Sequence, residues 1–147
     1  MKKIKVFVFH ATLIGSKTVE QRSLHPNHEF MEITDELATY YTLIDCDTID
    51  MVVKKIGDRY YNVVCDDVAL YDPDFIITMI DPDYKDDIIA GTIVITGLAD
   101  ADGNLTDLTD DDAKNISNHI HLCIQERSVE GITKRNMSPV IFTNSKS

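Results

Sequence analysis

The sequence predicts an α+β fold, a mostly antiparallel or mixed sheet of about five to six strands with two main helices packed on it. Three observations predict this. Runs rich in β-branched and aromatic residues, such as residues 3–9 and 59–65, are bounded by Gly, Asp and Pro, which punctuate strands. Two other segments place apolar residues at helical spacing behind cap residues. The 147 residues are 44% hydrophobic and 27% charged, the balance of a chain that buries a core without disulfides or metal. Residues 1–143 therefore read as one domain, with a frayed polar tail at 144–147.

The elements follow in order. Residues 3–9 are apolar almost throughout, the pattern of a central strand. A polar stretch with Gly15, Ser16 and Pro26 leads to a short strand at 29–33. Thr34 supplies a cap, with Asp35 and Glu36 as first-turn acids, for a helix that lines up Leu37, Tyr40, Tyr41 and Ile44. Residues 48–56 and 59–65 read as a hairpin turning at Gly57-Asp58. Two Asp-Pro-Asp brackets, Asp72-Pro73-Asp74 and Asp81-Pro82-Asp83, enclose the apolar run 75–80, a strand or one helical turn. Residues 88–98 carry the strongest strand pattern, with Gly91 and Gly97 marking a bulge or close approach, and Asp102-Gly103-Asn104 turns the chain. Thr109-Asp110-Asp111-Asp112 forms an acidic capping box for a second helix, in which Ala113, Ile116, Ile120, Cys123 and Ile124 keep helical spacing. Residues 139–143 read as the last strand.

The formal net charge of −11 is unevenly spread. Residues 1–44 are neutral. Residues 45–112 hold eighteen acids, all aspartate, against four bases, and residues 113–147 hold two acids against five bases. Aspartate disfavours helix and strand interiors and favours turns and caps, so these charges belong at the fringes of the fold. Their field repels nucleic acid and membrane surfaces and attracts basic partners. Three cysteines without CxxC spacing point to a reducing compartment. The apolar run after Met1-Lys2-Lys3 is too short for a signal segment, and no stretch is long enough to span a bilayer. The expected location is cytoplasmic.

The run Ile88-Ile89-Ala90-Gly91-Thr92-Ile93-Val94-Ile95-Thr96-Gly97, leading through Gly103-Asn104-Leu105-Thr106-Asp107-Leu108-Thr109-Asp110 into a helix, resembles an uncharacterised domain-of-unknown-function family. Its members are small acidic proteins from phages, plasmids and conjugative elements of Gram-positive bacteria. The helix after Thr34 and the paired strands after Thr48 fit the same pattern, so the resemblance covers most of residues 3–120. Between Val68 and Asp87 the chain departs from it with its Asp-Pro-rich insert. The resemblance implies a mobile-element setting and an accessory or anti-defence role.

Candidate chemistry is sparse. Asp100-Ala101-Asp102-Gly103-Asn104 begins like a calcium loop, but Leu105 stands where the sharp turn needs glycine and Asp111 where a bidentate Glu belongs; a turn explains the same residues. His25 and His28 have half a metal-site spacing, and His119 and His121, two apart, would not share a helix face. Cys46, Cys65 and Ser16 lie in no nucleophile context, and buried thiols are mostly inert. Asp66-Asp67, Asp86-Asp87 and Asp110 to Asp112 could hold a divalent ion or share a proton, yet neighbours in a strand face opposite ways and the last run caps a helix. Of the six tyrosines, Tyr40-Tyr41 and Tyr60-Tyr61 are adjacent pairs that each put one ring inward and one outward.

The reading that follows is a non-enzymatic accessory protein, without cofactor or metal, that binds a basic host protein surface as a decoy or inhibitor. Its partner-binding residues are expected to be Asp66, Asp67, Asp72, Asp74, Asp81, Asp83, Tyr84, Asp86 and Asp87. Direct nucleic-acid and membrane binding are not expected. The alternative is a small-ligand or nucleotide-metabolite binding domain with the Asp-Pro segment as its lid. A homodimer could form by sheet extension at residues 3–9 or 48–54.

Overall fold

The computed structural model describes residues 2–12, 28–72 and 74–144. Gly15, Ser16, His25, Pro26 and the last three residues of the polar tail lie outside them. Among the described residues the chain forms β1 (Lys3–Phe9), β2 (His28–Thr34), α1 (Leu37–Ile44), β3 (Ile49–Ile56), β4 (Arg59–Asp66), a 3-10 turn (Ala69–Tyr71), β5 (Ile77–Asp81), β6 (Tyr84–Ala90), β7 (Ile93–Thr96), α2 (Asp110–Ser117), β8 (Ile120–Val129) and β9 (Ile132–Phe142). The α+β class holds, with more strands than expected. They form two sheets: five strands in the order β2-β1-β7-β4-β3, and four in the order β6-β5-β9-β8. The first is antiparallel throughout; the second is mixed, because β5 and β9 run parallel.

Alternation along three strands builds two separate cores. Ile4, Val6 and Val8 of β1, Val94 of β7 and Val64 of β4 join Tyr40 and Ile44 of α1 on one face of the five-stranded sheet. Phe7 and Phe9, Ile93 and Ile95, and Tyr61, Val63 and Cys65 point the other way, onto Met79, Ile89 and Ile141 of the second sheet and Ile116 of α2. The layers are therefore α1, the five-stranded sheet, and the second sheet with α2. Strands buried on both faces read as continuous apolar runs, which is why residues 6–9 lack polar alternation, whereas Lys3 and Lys5 are exposed between buried Ile4 and Val6. Each large side chain so buried contributes about 1.5–3 kcal/mol.

Four expectations need correcting. The run 88–98 is two strands in two different sheets: β6 ends at Ala90 and β7 begins at Ile93. Gly91, at φ +82°, makes the corner, and its N–H donates to the Ile76 carbonyl at 2.9 Å. Gly97 is the close approach, since a Cβ there would stand 2.8 Å from the Thr106 carbonyl oxygen. The second helix stops at Ser117, and Ile120, Cys123 and Ile124 lie in β8, the first arm of a ten-pair hairpin with β9 turning at Glu130-Gly131, both at positive φ. Apolar residues at 120, 122 and 124 satisfy strand alternation as well as helical spacing, and the turn settles the choice. Thr34 ends β2 and does not cap α1; the N-cap is Glu36, without a side-chain bond, and Asp35 instead accepts the Tyr40 hydroxyl at 2.8 Å. Finally, β1 is interior, paired with β2 and β7, so residues 3–9 cannot extend a sheet.

The capping box of α2 is present: the Asp112 N–H donates to the Thr109 hydroxyl at 3.2 Å, and the Thr109 N–H returns to the Asp112 carboxylate at 2.9 Å. The same carboxylate accepts from the Tyr61 hydroxyl and from Arg59 Nη1, each at 3.0 Å. It thereby ties the helix start to β4. Burial alone would raise the Asp112 carboxyl, but the Thr109 N–H and hydroxyl, with Tyr61 and Arg59, outweigh it and hold it below its ordinary value. A native pKa lower than the unfolded one stabilises the fold above the ordinary carboxylate range, and the stabilisation fades as pH falls through the native value. Asp112→Asn should therefore lower stability by about 1 kcal/mol at neutral pH. Thermal unfolding over a pH series should show wild type and variant converging in acid; a gap independent of pH would refute the assignment.

Candidate functional site

The site grows from the end of β4. Asp66 closes the strand, and its Oδ1 accepts the Val68 N–H at 3.0 Å. The 3-10 turn follows, closed by the Tyr71 N–H to the Val68 carbonyl at 3.0 Å and the Asp72 N–H to the Ala69 carbonyl at 3.2 Å. Asp72 then spans its proline by accepting the Asp74 N–H at 2.8 Å. These are side-chain-to-backbone turns of the kind aspartate makes best. They hold outward what a short turn cannot bury. Val68 is 50% exposed, Leu70 47% and Tyr71 85%, exposed apolar residues of one turn flanked in the chain by Asp66, Asp67, Asp72 and Asp74.

Two grooves flank this turn and share Asp66. One, of about 200 Å³, has Val52, Leu70 and Ile88 on its apolar side and Asp50, Asp66 and Asp67 on its acidic side. It lies where β3 and β4 of the first sheet face β6 of the second. The ion pair of Lys54 with Asp87 joins β3 to β6 beside it, closing the one cationic head among its lining residues onto a carboxylate. The other groove, of about 350 Å³, runs beside Phe75, Ile76 and Gly91 and carries Asp66, Asp72 and Asp74.

The field at this corner is registered by two thiols. Burial pushes the Cys65 thiol up to about 11, with Asp50, Asp66 and Asp67 adding to the shift. Cys46 is raised by burial first and then by Asp66. Cys65 is buried, and both thiols are thus held in their inert protonated form. The Asp67 carboxylate also accepts the Thr48 hydroxyl, pinning the start of β3 to the end of β4.

Of the eight aspartates and one tyrosine read as partner-binding, Asp66, Asp67, Asp72 and Asp74 come together around the turn. Asp87 is engaged by Lys54, with Asp86 next to it on β6. Asp81 is 2% exposed, and it accepts the Asp83 N–H at 2.8 Å in the β5–β6 turn. Asp83 and Tyr84 sit there too, at the far end of that hairpin from Ile77 and Ala90, about 13 Å away at strand rise. The two Asp-Pro-Asp brackets therefore make the same aspartate-to-backbone bond, at opposite ends of β5. Val68, Leu70 and Asp50 were not expected at the site, and Tyr71 only as one of six tyrosines. A four-residue apolar run flanked by Asp67 and Asp72 was the available signal, being too short to be a buried strand.

The remaining candidates have structural explanations. Asp100 Oδ1 accepts the N–H groups of Asp102 and Asn104, each at 3.0 Å, which is a turn. The His119 ring contacts the Asn115 carbonyl at 2.7 Å, and His121 stacks on Phe142; with α2 ending at Ser117, the helix-face reading of this pair no longer applies. Among the described residues no group of three or more His, Cys, Asp or Glu side chains is placed to hold a metal ion. No described helix is long and apolar enough to cross a membrane.

Convergence of charge on Cys46 is open to test. Asp66→Asn should speed alkylation of Cys46 by iodoacetamide at mildly alkaline pH, because a lower thiol pKa exposes more thiolate. Cys123, raised by burial alone, should react at its original rate. Equal rates at Cys46 in both proteins would show that Asp66 exerts no such field.

Comparison with known proteins places residues 19–121 in a family described as a domain of unknown function, DUF3846. No curated protein and no solved structure matches the chain.

Proposed function

We propose, from the premise that this chain belongs to the DUF3846 family, that it is a non-enzymatic, cytoplasmic accessory protein of a mobile element which binds a basic protein surface as a decoy or inhibitor, an anti-defence role included. One observation supports the reading above the rest: Val68, Leu70 and Tyr71 are exposed in the turn between Asp66-Asp67 and Asp72-Asp74, with Val68 and Leu70 each lining a groove that carries some of these aspartates. Solvation needs the charges but not the apolar cluster. An exposed tyrosine is a typical interface anchor, with one apolar ring and a polar tip on few rotatable bonds. Aspartates around it steer a basic partner and favour its orientation. The mobile-element setting rests on the family resemblance carried by residues 88–110.

Groove size narrows the contact. At about 200 Å³ the groove between the sheets falls below the 300–1,000 Å³ of ordinary small-molecule sites and suits a single side chain. A lysine or arginine fits its chemistry: the aliphatic stem lies along Leu70 and Ile88 while the head reaches Asp66 and Asp67. The second groove, at about 350 Å³, supports the alternative of a small-ligand domain, but its acids favour a cationic metabolite over a nucleotide, whose phosphates they repel.

Immobilised wild-type protein should enrich basic proteins from host lysate at low salt and lose them at high salt, as screening of exposed charges requires. Tyr71→Ala should weaken the enriched complex roughly tenfold or more. Asp66→Asn with Asp67→Asn should slow association and flatten the salt dependence. Absence of any enriched basic protein, or retention unchanged by both variants, would remove this reading. The alternative is tested by thermal shift: a polyamine at a hundred times its dissociation constant should stabilise by about 2.7 kcal/mol, with nucleotides inert. A flat response to polyamines would eliminate it.

A further inference from the structure

The two sheets leave four outer strands among the described residues: β2, β3, β6 and β8. Soluble proteins protect such edges with charge, because an exposed row of N–H and C=O groups templates another strand. Three edges are so protected. β2 carries Glu29 and Glu32, β3 carries Asp50, Lys54 and Lys55, and β6 carries Lys85, Asp86 and Asp87. β8 is different. Its first six residues, Ile120-His121-Leu122-Cys123-Ile124-Gln125, contain no acid, lysine or arginine. Among the described residues it pairs with β9 alone.

The same stretch exposes an apolar row. Leu122 is 59% exposed and Ile124 65%, and Met137, directly opposite Ile124 on β9, is 43% exposed. Residues 122 and 124 share one face of the strand. That row begins at the edge itself, so a strand added beside β8 would cover it. The charge of the hairpin also differs from that of the acidic middle third: residues 120–142 hold three bases against two acids. Copies that repel through their aspartate-rich middle thirds meet no such barrier here.

We propose that β8 is a dimerisation strand, pairing antiparallel with β8 of a second copy about a two-fold axis that passes beside Cys123. The symmetry limits the register. A two-fold axis normal to the sheet keeps each face on its own side, so a residue pairs only with one of equal parity, and the axis must lie beside a residue. Centred on Cys123, Leu122 stands opposite Ile124 of the other copy and Ile124 opposite Leu122, while His121 faces Gln125. Met137 then extends the apolar strip on both sides. A centre at Ile124 would bring Glu126 inward against Leu122, where the Cys123 centre leaves it opposite Ile120 at the end of the overlap, and a centre at Leu122 would shorten the overlap to residues 120–124. β6 lies at the opposite edge of this sheet, three strand spacings or about 14 Å away, so the groove it lines with Leu70 and Asp66 stays open in the dimer. The inference stands independently of what those grooves bind.

Sedimentation of the full chain across a concentration series should show a species of twice 16.6 kDa. Leu122→Lys and Ile124→Lys, each at an exposed position, should return it to monomer while circular dichroism and Tm remain those of wild type. Copper-phenanthroline oxidation should join two Cys123 thiols, since directly opposed residues in antiparallel strands have Cα atoms about 4.5–5.5 Å apart, within disulfide range. The cross-link should persist in Cys46→Ser and vanish in Cys123→Ser. A wild type that stays monomeric throughout overturns the proposal. So does a dimer that survives both lysine variants, one abolished instead by Val53→Lys on β3, or one that yields no link at Cys123.

Discussion

Double-sided burial of the five-stranded sheet is the constraint on which the rest of the structure depends. β1, β7 and β4 send alternate side chains into two cores that do not mix, one under α1 and one against the second sheet and α2. A slip of one residue in any of these strands would exchange the two sets. Register is correspondingly tight: Phe7 lies opposite Ile95 and Val8 opposite Val94, while Val63 and Val64 of β4 meet the same two residues from the other side. The place where β4 leaves this sandwich, at Asp66, is thereby fixed. So is the surface presented by the turn after it.

The aspartates have two kinds of work. Asp66, Asp72, Asp81 and Asp100 each accept a backbone N–H two residues on, and Asp112 caps a helix while bonding Tyr61 and Arg59. Such bonds build turns without needing a partner. The charge remains after the turn is built, and where several turns crowd together it accumulates, as Asp50, Asp66 and Asp67 do around Cys65. The functional reading therefore rests less on the number of acids than on the apolar residues stranded among them. At the opposite edge of the second sheet the logic is inverted: the first six residues of β8 expose apolar side chains and carry no acid, lysine or arginine, and the Glu126 that follows them is paired with Arg135, which suits a copy of itself better than a basic partner.

Several elements were legible because local chemistry and tertiary fold agree. The β3–β4 hairpin, the α2 capping box and the Asp102-Gly103 turn depend on residues a few positions apart. The second helix was overextended because Ile120, Cys123 and Ile124 satisfy helical spacing while Ile120, Leu122 and Ile124 also satisfy a strand. The run 88–98 was read as one strand because apolar density continues through Gly91, and only the corner there sends β6 and β7 to different sheets. At the candidate site, Asp66, Asp67, Asp72 and Asp74 were readable as acids. The exposed state of Val68, Leu70 and Tyr71 was not, since burial is set by what packs above a residue.

The sequence by itself determined the α+β class, the acidic middle third, the turn and cap positions of its aspartates and the central place of residues 3–9. Those properties depend on composition, on alternation and on contacts within a few residues. Only the tertiary structure decided that the described strands make two sheets instead of one, that the acids of residues 66–74 gather while Asp81 is buried, and that the uncharged first half of β8 lies at an edge. Each of these depends on which distant strands pair, and hydrophobic burial, being non-directional, does not specify the partner from one strand alone.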